Sequence, residues 1–162
     1  MSGSDGGVYV ESTIIMTTVR AVAPFVFTFG LFVMFHGAES AGGGFQGGAL
    51  VAAAVLLLAF AFGIESTRAW LAGALVRTAI AGGGAAFAII GLATVALDGA
   101  FLEYVAYGYG STGTKYGIEL VELGIGAVVS GVLVGLFFSL AGGDFELAPG
   151  GDADAETGGE EP

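Results

Sequence analysis

His36-Gly37-Ala38-Glu39-Ser40-Ala41-Gly42-Gly43-Gly44-Phe45-Gln46-Gly47-Gly48 is the stretch whose reading decides the fold. Six of its thirteen residues are glycine and two are alanine. It separates two segments that are each apolar enough to cross a bilayer, so it reads as a tight hairpin that lets backbones approach closely. Its polar handles are one His, one Glu, one Gln and one Ser.

Working outward, apolar residues fall in long runs. Of the 162 residues, 55% are hydrophobic and 12% charged, half the charge of an ordinary soluble domain. The mean hydropathy is +0.86. Spanning hydrocarbon takes about 20 apolar residues. Four windows qualify: 16–35, 45–64, 75–97 and 118–140. Each must satisfy its own backbone hydrogen bonds in lipid, which only helices or closed barrels do. Barrel strands alternate apolar and polar residues, and Val51-Ala52-Ala53-Ala54-Val55-Leu56-Leu57-Leu58 does not alternate. The expected fold is therefore all-α: a polytopic membrane protein with four transmembrane helices and a glycine-rich hairpin between the first two. Residues 1–15 form an N-terminal segment, 16–141 the four-helix membrane domain, and 142–162 an acidic tail.

Fifteen acids against four bases give a formal charge of −11. That balance disfavours nucleic acid as a partner. Seven of the acids lie within 144–162, among Gly, Ala and Pro, and this composition predicts a solvated, disordered tail. The acidic excess also fits a salt-rich cytosol. Equal stability at low and high KCl would remove that idea. Residues 1–19 carry no Lys or Arg, so a secretory signal is not expected. There is no cysteine, so thiolate metal sites and disulfides are ruled out.

Cationic residues favour the cytoplasmic side of membrane proteins. Arg20 starts the first span, Arg68 and Arg77 flank the second connection, and Lys115 alone lies in the third. The expectation is a cell-membrane, multi-pass protein with both termini cytoplasmic and the hairpin outside. A tag at Pro162 reachable only from outside would overturn it.

Gly42-x-Gly44-x-x-Gly47 matches the dinucleotide glycine pattern, but that pattern needs a short strand before it and a βαβ unit around it. Here both flanks are membrane spans. Helix packing explains the glycines better. Gly44, Gly48 and Ala52 recur every four residues, as do Gly131 and Gly135, while Gly117, Gly124 and Gly131 recur every seven. Such small residues let membrane helices pack closely. The expected packing set is Gly42, Gly43, Gly44, Gly47, Gly48, Gly124, Gly131 and Gly135. Gly82-Gly83-Gly84 predicts local flexibility in the third span.

Four polar residues are candidates for an ion pathway: His36, Glu39, Gln46 and Glu122. His36 is an imidazole, the side-chain type suited to proton relay; the alternative is an interfacial His bonded to backbone. Glu119 and Glu122 read as opening the fourth span, where the helix dipole favours acids. Glu122 falls deeper, and an ionisable residue inside a span is a functional candidate by default; the alternative is structural pairing. Glu65 and Arg68, three apart, read as an interfacial ion pair. Trp70, Tyr104, Tyr107, Tyr109 and Tyr116 suit interfacial anchoring. No catalytic set, cofactor motif or metal cluster is expected.

Gly42 to Gly48, following an apolar span that opens Thr18-Val19-Arg20, resembles the B-type subunit of the multisubunit sodium/proton antiporters of the Mrp or Mnh type. The run Glu122-Leu123-Gly124-Ile125 is also similar, and the resemblance covers about Thr17 to Leu140. The family hairpin reads Gly-His, two residues, then Pro before three glycines; this chain has Ala38 and Ala41 at the His and Pro positions. The resemblance implies an accessory membrane subunit of a complex that exchanges Na+ for H+, with other subunits and the lipid bilayer as partners. Two alternatives stay open: a homologous subunit of a redox-driven ion pump such as a membrane-bound hydrogenase, and a small membrane protein acting alone.

Overall fold

A computed structural model describes residues 12–39, 41–71 and 73–142. The tail beyond Gly142 and the segment before Ser12 lie outside the described residues. The chain is all-helical there, in the order α1 (Thr13–Phe35), α2 (Gly44–Phe62), α3 (Ile64–Trp70), α4 (Gly73–Ala96), a 3-10 turn at Tyr104–Tyr107, and α5 (Gly110–Gly142). Four of these, α1, α2, α4 and α5, are long and apolar enough to cross a membrane, as the four hydropathy windows require.

Two starts differ from expectation. Helix α1 begins at Thr13 rather than Met16, because the Ser12 hydroxyl accepts from the Ile15 N–H at 3.5 Å and caps the first turn. Helix α5 begins at Gly110 rather than Ile118. Its 33 residues make about 50 Å at 1.5 Å per residue, against about 30 Å of hydrocarbon. Its first turn carries no acid, so Glu119 and Glu122 lie well inside the helix. The dipole account of Glu119 fails, since that effect fades within the first turn. Lys115 belongs to α5, not to the third connection.

The helices pack in an open row, α1 against α2, α2 against α5, and α5 against α4. Glycine pairs close each junction. A Cβ on Gly30 would stand 3.0 Å from the Gly47 carbonyl oxygen, and one on Gly47 2.6 Å from that of Gly30. A Cβ on Gly48 would stand 2.6 Å from the Gly126 oxygen, and one on Gly124 2.9 Å from the Gly83 oxygen. Gly131 packs on Ile80 and the Val76 carbonyl. Gly44, Gly47, Gly48, Gly124, Gly131 and Gly135 are all buried. Gly30, Gly83 and Gly126 belong to the same set, although the spacing rule did not single them out. The triplet 82–84 is continuous helix: Gly83 packs on α5, while Gly82 and Gly84 face open space.

One apolar cluster joins α2, α4 and α5 through Ala52, Ala59, Val76, Val134 and Phe138. A second joins α1 and α2 through Val19, Ala23 and Ala61. Phe25, Phe29 and Phe32 on α1 and Leu75, Ile89 and Leu92 on α4 are exposed. In a membrane protein such side chains meet lipid or another chain's helices. The row alternates in direction, so the α1–α2 connection and the α4–α5 connection share one end. Ser12, α3 and Gly142 share the other, together with Arg20, Arg68 and Arg77.

Candidate ion-route site

The site forms where the glycine hairpin meets α5. Helix α1 ends at His36, and the backbone then turns with the Glu39 N–H donating to the His36 carbonyl at 3.1 Å. Helix α2 restarts at Gly44. The Gly43 N–H donates to the Gln46 carboxamide oxygen at 3.2 Å. That is one half of a capping box; the other half needs an Ncap side chain, which Gly43 lacks. Gln46 is thus placed as a helix cap at the rim.

Glu122 lies under this turn. A Cβ on Gly37 would overlap its carboxyl group, and one on Gly43 would stand 2.9 Å from its Cδ. A Cβ on Gly44 would stand 3.0 Å from the Glu122 Cα and overlap its carbonyl oxygen. A methyl at Gly37 or Gly43 would displace the flexible end of the Glu122 side chain, whereas one at Gly44 would meet the Glu122 main chain, so Gly44 is the position where glycine is required. The Glu122 Oε2 is buried with no hydrogen-bond partner. A carboxylate oxygen in that position lacks the donors that would offset its lost hydration. A hydrogen-bond donor, a proton or a cation would each supply what it lacks.

Lys115, Glu119 and Glu122 are spaced by four and three residues along α5, which puts them on one stripe. Glu119 is half-buried. At the outer end of the stripe, the Lys115 ammonium donates to the Glu39 Oε1 at 2.5 Å, tying the hairpin to α5. Both side chains are well exposed, 42% and 61%. The hydrogen bond from Lys115, then its positive charge, holds the Glu39 carboxyl below the usual carboxylate range, and the His36 charge adds a smaller pull. On the other flank, the Tyr104 ring covers Gly117. Burial pushes the Tyr104 hydroxyl above the ordinary tyrosine range, with the nearby Glu122 charge and then Tyr107 adding to it.

The hairpin glycines and Glu122 are therefore brought together, and Glu39 is brought to Lys115. His36 sits apart from that contact. Its Nδ1 lies 2.9 Å from the Phe32 carbonyl oxygen, and its ring stacks on Phe32 with centroids 4.1 Å apart. Glu65 and Arg68 lie far off on α3, Glu65 exposed and Arg68 half-buried. Arg20 stands over the Phe62 ring at 5.1 Å from its centroid. Lys115 and Tyr104 are the site residues that sequence reasoning placed elsewhere, as surface and anchor groups. Lys115 is 76 residues from Glu39, so no local spacing could have linked them.

Four helices long and apolar enough to cross a membrane, with a carboxyl on the last of them under a glycine turn, define a multi-pass membrane protein. Residues 14–135 match the family described as a domain related to the MnhB subunit of Na+/H+ antiporter, and the chain belongs to that family. It is also similar to "Putative antiporter subunit mnhB2" of Staphylococcus haemolyticus (strain JCSC1435). The two are 31% identical over 140 residues, covering 82% of this chain and 97% of that protein. The family membership expected from the hairpin is thereby established.

Proposed function

We propose that this chain is an accessory membrane subunit of a multisubunit cation/proton antiporter and that Glu122 belongs to its ion route. The single observation that carries the second half is the buried, unpartnered Glu122 Oε2 beneath Gly37 and Gly43. A membrane protein retains an ionisable group at depth when that group transfers or balances charge. Glu39 and Gln46 stand at the hairpin rim of this site, with His36 set back against Phe32 at the end of α1, and H+ and Na+ are the ions it would serve. The exposed faces of α1 and α4 seat against the larger subunits and lipid. Both termini are cytoplasmic, because three of the four bases cluster at their end of the row.

The experiment is Glu122→Gln in membrane vesicles, which keeps the shape and removes the charge. Na+-dependent proton exchange is expected to fall while the subunits assemble at normal levels. Normal exchange with normal assembly would make Glu122 a structural residue. Mild-detergent purification of the native complex tests the first half: the chain is expected to travel with larger antiporter-like subunits.

A further inference from the structure

We propose that the backbone at Gly37 and Gly43 is a cover over the Glu122 carboxyl, and that the Glu39–Lys115 ion pair is the latch that keeps it closed. Glu122 then exchanges its proton with water on the hairpin side only when the latch opens. The inference rests on the reading of Glu122 as an ion-route group and adds the direction of access and the device that controls it.

The observations come from separate parts of the chain. Gly37 and Gly43 stand so close to the carboxyl that neither has room for a methyl. Gly37 is two residues from Glu39, so the cover and one half of the latch move together. The other half, Lys115, stands on the Glu122 stripe two helical turns nearer the exposed end of α5. Opening the cover therefore pulls on the Glu39–Lys115 bond, and that bond faces water. An exposed pair is weak enough to break often, which suits a latch better than a permanent strut. Around the covered carboxyl, the facing charged and titratable groups are Glu119 on its own helix and Tyr104 beyond it. His36 and Glu39 border the hairpin and Lys115 the outer end of the stripe.

The test reads access directly. The assembled complex, oriented with the hairpin side out, is treated with a water-soluble carbodiimide and glycine ethyl ester. The carboxyl adds to the carbodiimide; the amine displaces the urea and leaves an amide, which peptide mass spectrometry locates at Glu122. Labelling is expected to be low in the wild type. It should rise about 1.5- to fivefold in Glu39→Gln and in Lys115→Gln, the range over which an exposed ion pair biases an equilibrium. The paired exchange Glu39→Lys with Lys115→Glu should return it to the wild-type level, which also guards against a variant that merely fails to assemble. Equal Glu122 labelling in all four proteins would overturn the cover. The two readings separate cleanly. Unchanged exchange in Glu122→Gln with latch-dependent labelling would remove the ion-route role and keep the cover. Lost exchange with latch-independent labelling would do the reverse.

Discussion

Replacing Gly48 with alanine asks whether α2 and α5 touch as closely as their backbones indicate. The new methyl would stand 2.6 Å from the Gly126 oxygen, 3.0 Å from the Gly126 Cα and 3.1 Å from the Val129 Cβ. The first contact falls 0.8 Å short of the 3.4 Å at which ordinary van der Waals contact begins. The obstacle is main chain, which cannot rotate away as a side-chain tip can, so the two helices must separate. Overpacking of this kind costs about 1–3 kcal/mol. Alanine recovers about 0.5–1 kcal/mol of helix propensity over glycine. The net expectation is a loss centred on about 1 kcal/mol and reaching about 2.5 kcal/mol. Gly82→Ala is the internal control, because a methyl there meets nothing within 4 Å and only the propensity gain of about 0.5–1 kcal/mol remains. The assay is unfolding of the isolated chain in mixed micelles by titration with SDS, monitored by helical circular dichroism. The midpoints of the two variants should move in opposite directions. A Gly48→Ala protein as stable as the wild type would refute the close α2–α5 junction.

The same geometry sets further outcomes. Gly37→Ala should fold almost normally, because its methyl meets the mobile end of the Glu122 side chain, yet it should alter cation-dependent proton exchange in vesicles by displacing that carboxyl. Gly44→Ala should instead reduce the amount of folded chain, since it meets the Glu122 main chain; comparing the two by detergent gel filtration and transport separates site from scaffold. Thr94→Val should cost about 1–3 kcal/mol in the same SDS titration, because the buried Thr94 hydroxyl lies 2.7 Å from the Gly91 carbonyl oxygen and 2.8 Å from that of Ala100. The Glu39 carboxyl is held below its ordinary value of 4.5 by Lys115. Its contribution is thus fully present above that value and fades as pH falls through the lowered one. Glu39→Gln should differ from wild type in hairpin protease resistance at neutral and at mildly acidic pH alike, and the two should converge only in acid below the carboxylate range.

How much of this was legible depends on which signals are local. The four spans could be read because about 20 apolar residues in a row admit few other fates in a membrane. The early start of α5 could not. Gly110-Ser111-Thr112-Gly113-Thr114 is a sequence of poor helix formers. The turns after it are held from outside, by Glu39 on Lys115 and the Tyr104 ring on Gly117. Helix α3 has seven residues, too few for a periodic pattern. Glu122 could be singled out from its depth alone. Its cover could not, because Gly37 and Gly43 lie far away in sequence. The glycine spacing found the packing face of α2, but read Gly82-Gly83-Gly84 as flexible. Only the partner helix reveals that Gly83 is a contact and its neighbours are not.

The open row of helices has a consequence for the life of the chain in a cell. Only between 17% and 33% of the residues in each span's apolar window are buried by the chain itself, and α1 and α4 occupy the two ends of the row. Apolar surface left uncovered is what cellular quality control acts on, so a copy made without companions is expected to be short-lived. Its abundance should therefore be set by theirs: pulse-chase measurements are expected to show a short half-life when the chain is expressed alone and a long one when its companion subunits are made alongside it.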